Sequence, residues 1–118
     1  MKNLDQIRAY NAITSLQRKF KGDDGGEVIK KQPAYILNDG LLATLAFGIH
    51  KGGDHQEAGN VIAQHLASPG IAIYEPQHGQ GSGRDLLETL AKEETDILLR
   101  RATAEALAFL NYLKRFVA

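Results

Sequence analysis

The chain has 118 residues, 43% of them hydrophobic and 24% charged, with no cysteine, no tryptophan and a formal net charge of zero. That length suits one domain, 1–118, with apolar residues enough for a core. The absence of cysteine excludes a disulfide framework, a thiol nucleophile and a cysteine-ligated zinc.

No apolar run nears the ~20 residues of a membrane span. The opening MKNLDQIRAY lacks the apolar stretch of a secretory signal, so a cytoplasmic location and no membrane partner are expected. In chain order the elements read as helices. Asn3 is a fitting N-cap, and Leu4, Ile7, Tyr10, Ile13, Leu16 and Phe20 recur near a helical period. Lys21-Gly22-Asp23-Asp24-Gly25-Gly26 breaks the pattern, and a short helix from Glu27 should be interrupted at Pro33. Residues 34–49 are apolar on nearly every side and predict a central buried helix with Gly40 inside it. Gln56–Leu66 is a further helix, stopped by Ser68-Pro69-Gly70. Residues 71–83 are the least helical part of the chain; Ile71, Ile73 and Tyr74 find no partner strand, which leaves a loop. A weak helix starts at Asp85, and the strongest helical pattern runs from about Thr95 to Val117. The expected fold is an all-α, single-domain bundle of about five or six helices around 34–49. Gly40, Leu41, Leu45, Phe47, Ala106, Leu110 and Leu113 are assigned to packing.

Enzyme chemistry finds no anchor. His50, Asp54, His55 and Glu57 cluster, but the two histidines lie five apart across a glycine loop, not at the i, i+4 spacing of two ligands on one helical face. They are read as a solvated loop, and His65 and His78 as ordinary surface or half-buried residues. The Gly79-Gln80-Gly81-Ser82-Gly83-Arg84 stretch matches neither the dinucleotide fingerprint nor the P-loop, and Glu75, Asp85 and Glu88 would repel a phosphate. Ser15, Ser68 and Ser82 have no local nucleophile motif. No catalytic residue, metal site, cofactor or small-molecule substrate is therefore expected.

The neutral total hides an uneven distribution. Residues 1–31 carry a surplus of +3, residues 32–52 cancel, residues 53–96 stand at −6, and residues 97–118 return to +3. On a helical wheel, Arg100, Arg101, Ala104, Ala108, Asn111, Lys114 and Arg115 oppose the apolar face of the last helix, with Glu105 at the edge. Arg8, Asn11, Ser15, Arg18 and Lys19 group similarly on the first helix, with Asp5 away from them. Two acid-free basic stripes are what sequence-independent phosphate contact requires. Arg8, Arg18, Lys19, Arg100, Arg101, Lys114 and Arg115 are accordingly the candidate nucleic-acid contacts, and Lys30, Lys31 and Lys51 weaker ones. A protein-facing surface is the competing reading of the same stripes. A small DNA-binding regulator is a third, which the lack of a helix–turn–helix spacing disfavours.

Gly40-Leu41-Leu42-Ala43-Thr44-Leu45-Ala46-Phe47, preceded by Pro33-Ala34-Tyr35-Ile36-Leu37, resembles the signature of the small helical subunit of type III-B CRISPR–Cas effector complexes, the Cmr complexes. Arg100-Arg101-Ala102-Thr103-Ala104-Glu105-Ala106-Leu107 and Leu110-Asn111-Tyr112-Leu113-Lys114-Arg115-Phe116 resemble that family's closing helix. Tyr112 stands where the family often has tryptophan, Leu99 where a tyrosine is common, and loop 67–84 has no counterpart. The resemblance implies a non-catalytic antiviral-defence subunit that stacks along the backbone subunits and helps line the groove for the target RNA–guide RNA duplex. The implied partners are the backbone subunit, the large polymerase-like subunit, further copies of the chain and that duplex. The acidic segment 85–96 of one copy would then face a basic end of the next.

Overall fold

The computed structural model describes residues 2–19 and 25–117, with the backbone alone for 16–19 and 25. Six helices account for the described fold: α1 (Leu4–Lys19), α2 (Gly25–Asp39), α3 (Leu41–Lys51), α4 (Gly53–Ala67), α5 (Gly83–Lys92) and α6 (Ile97–Phe116). There is no strand among the described residues. The class is all-α, and the radius of gyration of 13.0 Å is that of one domain of this length.

The start of α1 is fixed by a reciprocal cap. The Gln6 amide N–H donates to Asn3 Oδ1, and the Asn3 N–H donates to Gln6 Oε1, both at 2.8 Å. Two otherwise orphaned backbone donors are satisfied at once. The predicted 34–49 helix is in fact two, because Gly40 adopts φ +92° and turns the chain between α2 and α3. Only glycine enters that region without strain. The apolar pattern runs straight across the break, so periodicity alone could not reveal it. Pro33 does not interrupt α2, which carries it internally; Ile29, Gln32 and Ile36 hold one buried face on both sides of it.

The core is centred on α4 and α6 instead of on 34–49. Val61, Ile62, Ala63 and Leu66 meet Ala102, Ala106, Phe109, Leu110 and Leu113, all buried. The α3 helix buries only Leu41, Thr44, Leu45 and Gly48. Phe47, assigned above to packing, is 46% exposed. Its ring meets Tyr35 and His55 edge to face, at centroid separations of 6.1 and 5.2 Å. Residues 68–82 are an ordered connection. Ile73 N–H donates to the Leu66 carbonyl at 2.8 Å, and Gln77 N–H reaches the buried Asp85 carboxylate at 3.2 Å. Tyr74 is buried there, and burial, with Asp85 nearby, pushes its phenol well above the ordinary value. At the start of α5, Ser82 Oγ accepts from the Asp85 N–H at 3.1 Å, and Gly83 N–H donates to Asn60 Oδ1 at 2.9 Å.

Candidate nucleic-acid interface

The α6 helix packs against α1, α2 and α4 and leaves one side outward. Arg101, Ala104, Asn111 and Arg115 are exposed along that side and Ala108 is half-buried. Their spacing of three and four keeps them in one row. At ~1.5 Å per residue the row places Arg101 and Arg115 about 21 Å apart. Neither has an ion pair among the described residues. Lys114 is half-buried in the last turn, where it and Arg115 complement the helix dipole. Next to Arg101, a groove of about 350 Å³ is lined by Leu4, Arg8, Ile71, Ile73, Ala104 and Glu105.

The acid-free description of both stripes is corrected by two ion pairs. Arg100 Nε lies 2.9 Å from Asp96 Oδ2, an i, i+4 pair at the start of the helix. Both groups are largely solvent-exposed, 79% and 57%, so the pair is weak and separable. On α1, Asp5 is not away from the stripe: its carboxylate lies 3.1 Å from Arg8 Nη1.

Arg8 is more deeply committed. Its guanidinium grips Glu105 as a fork, Nε to Oε2 at 2.7 Å and Nη2 to Oε1 at 2.8 Å, with side-chain exposures of 19% and 9%. Glu105 is therefore buried, not at the edge of a solvated face. Its Oε2 also accepts from His65 Nε2 at 3.0 Å, while Asn11 Nδ2 lies 2.9 Å from His65 Nδ1 and 3.0 Å from Ser68 Oγ. An amide donor at Nδ1 requires a lone pair there, which fixes the His65 proton on Nε2. The ring stacks on Phe109 at 4.0 Å. Burial, set against the Glu105 carboxylate, holds the His65 imidazolium below its ordinary range. Burial alone would raise the Glu105 carboxyl, but hydrogen bonds from Arg8 and His65 hold it below its ordinary value. The Glu105 fork raises Arg8 further.

The seven candidate cations thus divide. Arg101, Lys114 and Arg115 lie along one helix with no ion pair among the described residues, and Arg100 joins them through a loose pair. Arg8 is internal to the fold. The side chains of Arg18 and Lys19 lie outside the described residues. His65, read above as an ordinary surface or half-buried residue, is the centre of a buried polar network. A lone histidine in a helical pattern carries no mark of its partners when those sit 54 positions before it and 40 after it. The His50–Glu57 cluster forms no metal-binding group among the described residues.

The family model of the CRISPR-associated protein Cas_Cmr5 matches residues 3–118. A solved structure, the X-ray crystal structure of a CRISPR-associated Cmr5 family protein from Thermus thermophilus, superposes with a TM-score of 0.73 at 29% identity. The match covers 98% of this chain and 95% of that one. With a family match over nearly the whole chain and a solved relative that superposes along its length, the chain belongs to the Cmr5 family of CRISPR-associated proteins.

Proposed function

We propose that the chain is a non-catalytic structural subunit of a type III-B Cmr effector complex, stacking with further copies along the backbone subunits. The outward row on α6 then contributes to the groove for the target RNA–guide RNA duplex. Family membership supports the Cmr complex and the CRISPR defence role. The observation that carries the RNA assignment is the α6 row, in which Arg101 and Arg115 flank Ala104, Ala108 and Asn111. Small side chains between cations let a phosphate backbone lie close, and such contacts position nucleic acid without reading bases. Arg100 and Lys114 extend the same surface, and Arg18 and Lys19 belong to the proposal by their place on α1. Arg8 does not, since its guanidinium holds Glu105.

The test is target-RNA affinity of the reconstituted complex as a function of salt. Arg101→Ala with Arg115→Ala should weaken binding. The plot of log affinity against log salt should also flatten, by roughly one unit for each phosphate no longer neutralised. An unchanged slope would assign the row to protein contact.

A further inference from the structure

The groove of about 350 Å³ beside Arg101 is graded from its mouth inward. Arg101 is exposed, with no ion pair among the described residues, and Leu4 is 48% exposed. Ile71 and Ile73 are half-buried. Deepest lie the Arg8 and Glu105 side chains, 19% and 9% exposed. Chemistry follows depth: an unpaired cation stands outermost, aliphatic walls come next, and a paired floor closes the groove.

That floor keeps hydrogen-bonding capacity. Of the five guanidinium N–H groups of Arg8, two go to Glu105 and one to Asp5, which leaves two. Glu105 Oε2 accepts two hydrogen bonds and Oε1 only one, so Oε1 retains a lone pair. Asp5 is 68% exposed and is not part of the lining.

The isoleucine wall is held in place against a local preference. Between the two isoleucines Ala72 has φ +45°, the one positive φ outside glycine among the described residues, in a region that alanine enters only with strain. The Ser68 carbonyl accepts from the Ile71 and Ala72 N–H groups at 3.2 and 2.9 Å, and the Leu66 carbonyl from the Ile73 N–H at 2.8 Å. Strain pinned in this way on both sides is a mark of sites that need a fixed geometry.

We propose that this groove receives one unpaired nucleobase of the RNA that lies along α6. Arg101 holds the phosphate of that nucleotide at the mouth, and Leu4, Ile71 and Ile73 cover the faces of the base. Its edge meets the remaining N–H groups of Arg8 and the lone pair of Glu105. A nucleotide has its parts in the same order: an anionic phosphate outside, a flat apolar body within, and donors and acceptors at the far edge. Arg101 and Ala104 belong both to the groove and to the α6 row, so a backbone that follows the row passes the mouth. The inference rests on the RNA reading of that row and adds to it a contact that does not depend on charge.

The reconstituted complex tests it, with target RNAs in which one nucleotide at a time lacks its base. Lost pairing to the guide weakens binding equally in wild type and variants, so it cancels in the comparison. At the docked position, the missing base should cost the wild type roughly tenfold more affinity than it costs Leu4→Ser with Ile71→Ser. Ala104→Leu, which fills the groove from an exposed helical position, should erase the same difference, even where the serine pair fails to fold. The serine pair should also weaken binding of intact RNA by one factor at every salt concentration, with the slope unmoved. Identical penalties for the missing base in wild type and variants would overturn the proposal. If the slope still flattens in Arg101→Ala with Arg115→Ala, that result strikes the base site alone; if that slope is unmoved, the RNA reading falls and the base site with it. Weaker assembly of the groove variants, with RNA affinity of the assembled complex unchanged, would give the groove to a protein segment and overturn the proposal.

Discussion

His65 is neutral in the fold for reasons that lie within a few ångströms: burial, the amide of Asn11 at one nitrogen and the carboxylate of Glu105 at the other. Its ordinary value of 6.5 applies to the unfolded chain. Because the folded value is lower, the unfolded chain binds the proton first as the medium is acidified. Stability should therefore be full above about pH 6.5 and fall as pH drops through the lowered folded value. Glu105, lowered from 4.5, adds a second loss at more acid pH. Urea unfolding between pH 8 and 5 should show the first decline, and His65→Gln should flatten it while lowering stability throughout. An identical decline in the variant would move the effect to another group.

Two glycines matter to how the elements meet, for different reasons. At Gly48 a Cβ would stand 2.7 Å from the backbone carbonyl oxygen of His55, where α3 and α4 lie against each other. Backbone cannot swing aside as a flexible side chain can, so Gly48→Ala should cost about 2 kcal/mol in chemical denaturation. At Gly40 there is open space around the missing Cβ, and the constraint is the left-handed φ alone. Gly40→Ala should also destabilise, by about 1–3 kcal/mol, through backbone strain instead of a clash; an unchanged denaturation midpoint would refute that constraint. Much of this level was legible in the residues. The α1 cap, the helical spacing of α6 and the stop at Ser68-Pro69-Gly70 follow from local chemistry. The split at Gly40 was not, because leucines continue on both sides and a helical glycine gives the same pattern as a hinge. Nor was the commitment of Arg8, whose partner lies 97 positions away. Helical wheels compare residues on one helix and are blind to what a second helix brings against them.

At the scale of the molecule, the neutral total is a sum over surfaces of opposite sign. The short connection from α5 to α6 exposes Glu93, Glu94 and Asp96, whereas the far end of α6 exposes Arg115 beside a half-buried Lys114. Our proposal that copies of the chain stack predicts attraction between such ends. Glu93→Lys with Glu94→Lys should weaken assembly of the complex, more so at low salt, where such attraction is least screened. Assembly measured by sedimentation and left unchanged at low salt would count against stacking through that connection.

The Arg8–Glu105 fork bears on how α1 is held. Among the described residues α1 places only Ala12 fully in the apolar core; its polar ties to α4 and α6 include the fork and the Asn11–His65 contact. Greasy contact tolerates sliding, since one leucine replaces another with little loss. Two parallel hydrogen bonds to one carboxylate do not, for a shift of a single turn, about 5.4 Å, breaks both. The polar clasp therefore acts as an indexing pin: it sets where along α6 the first helix stops.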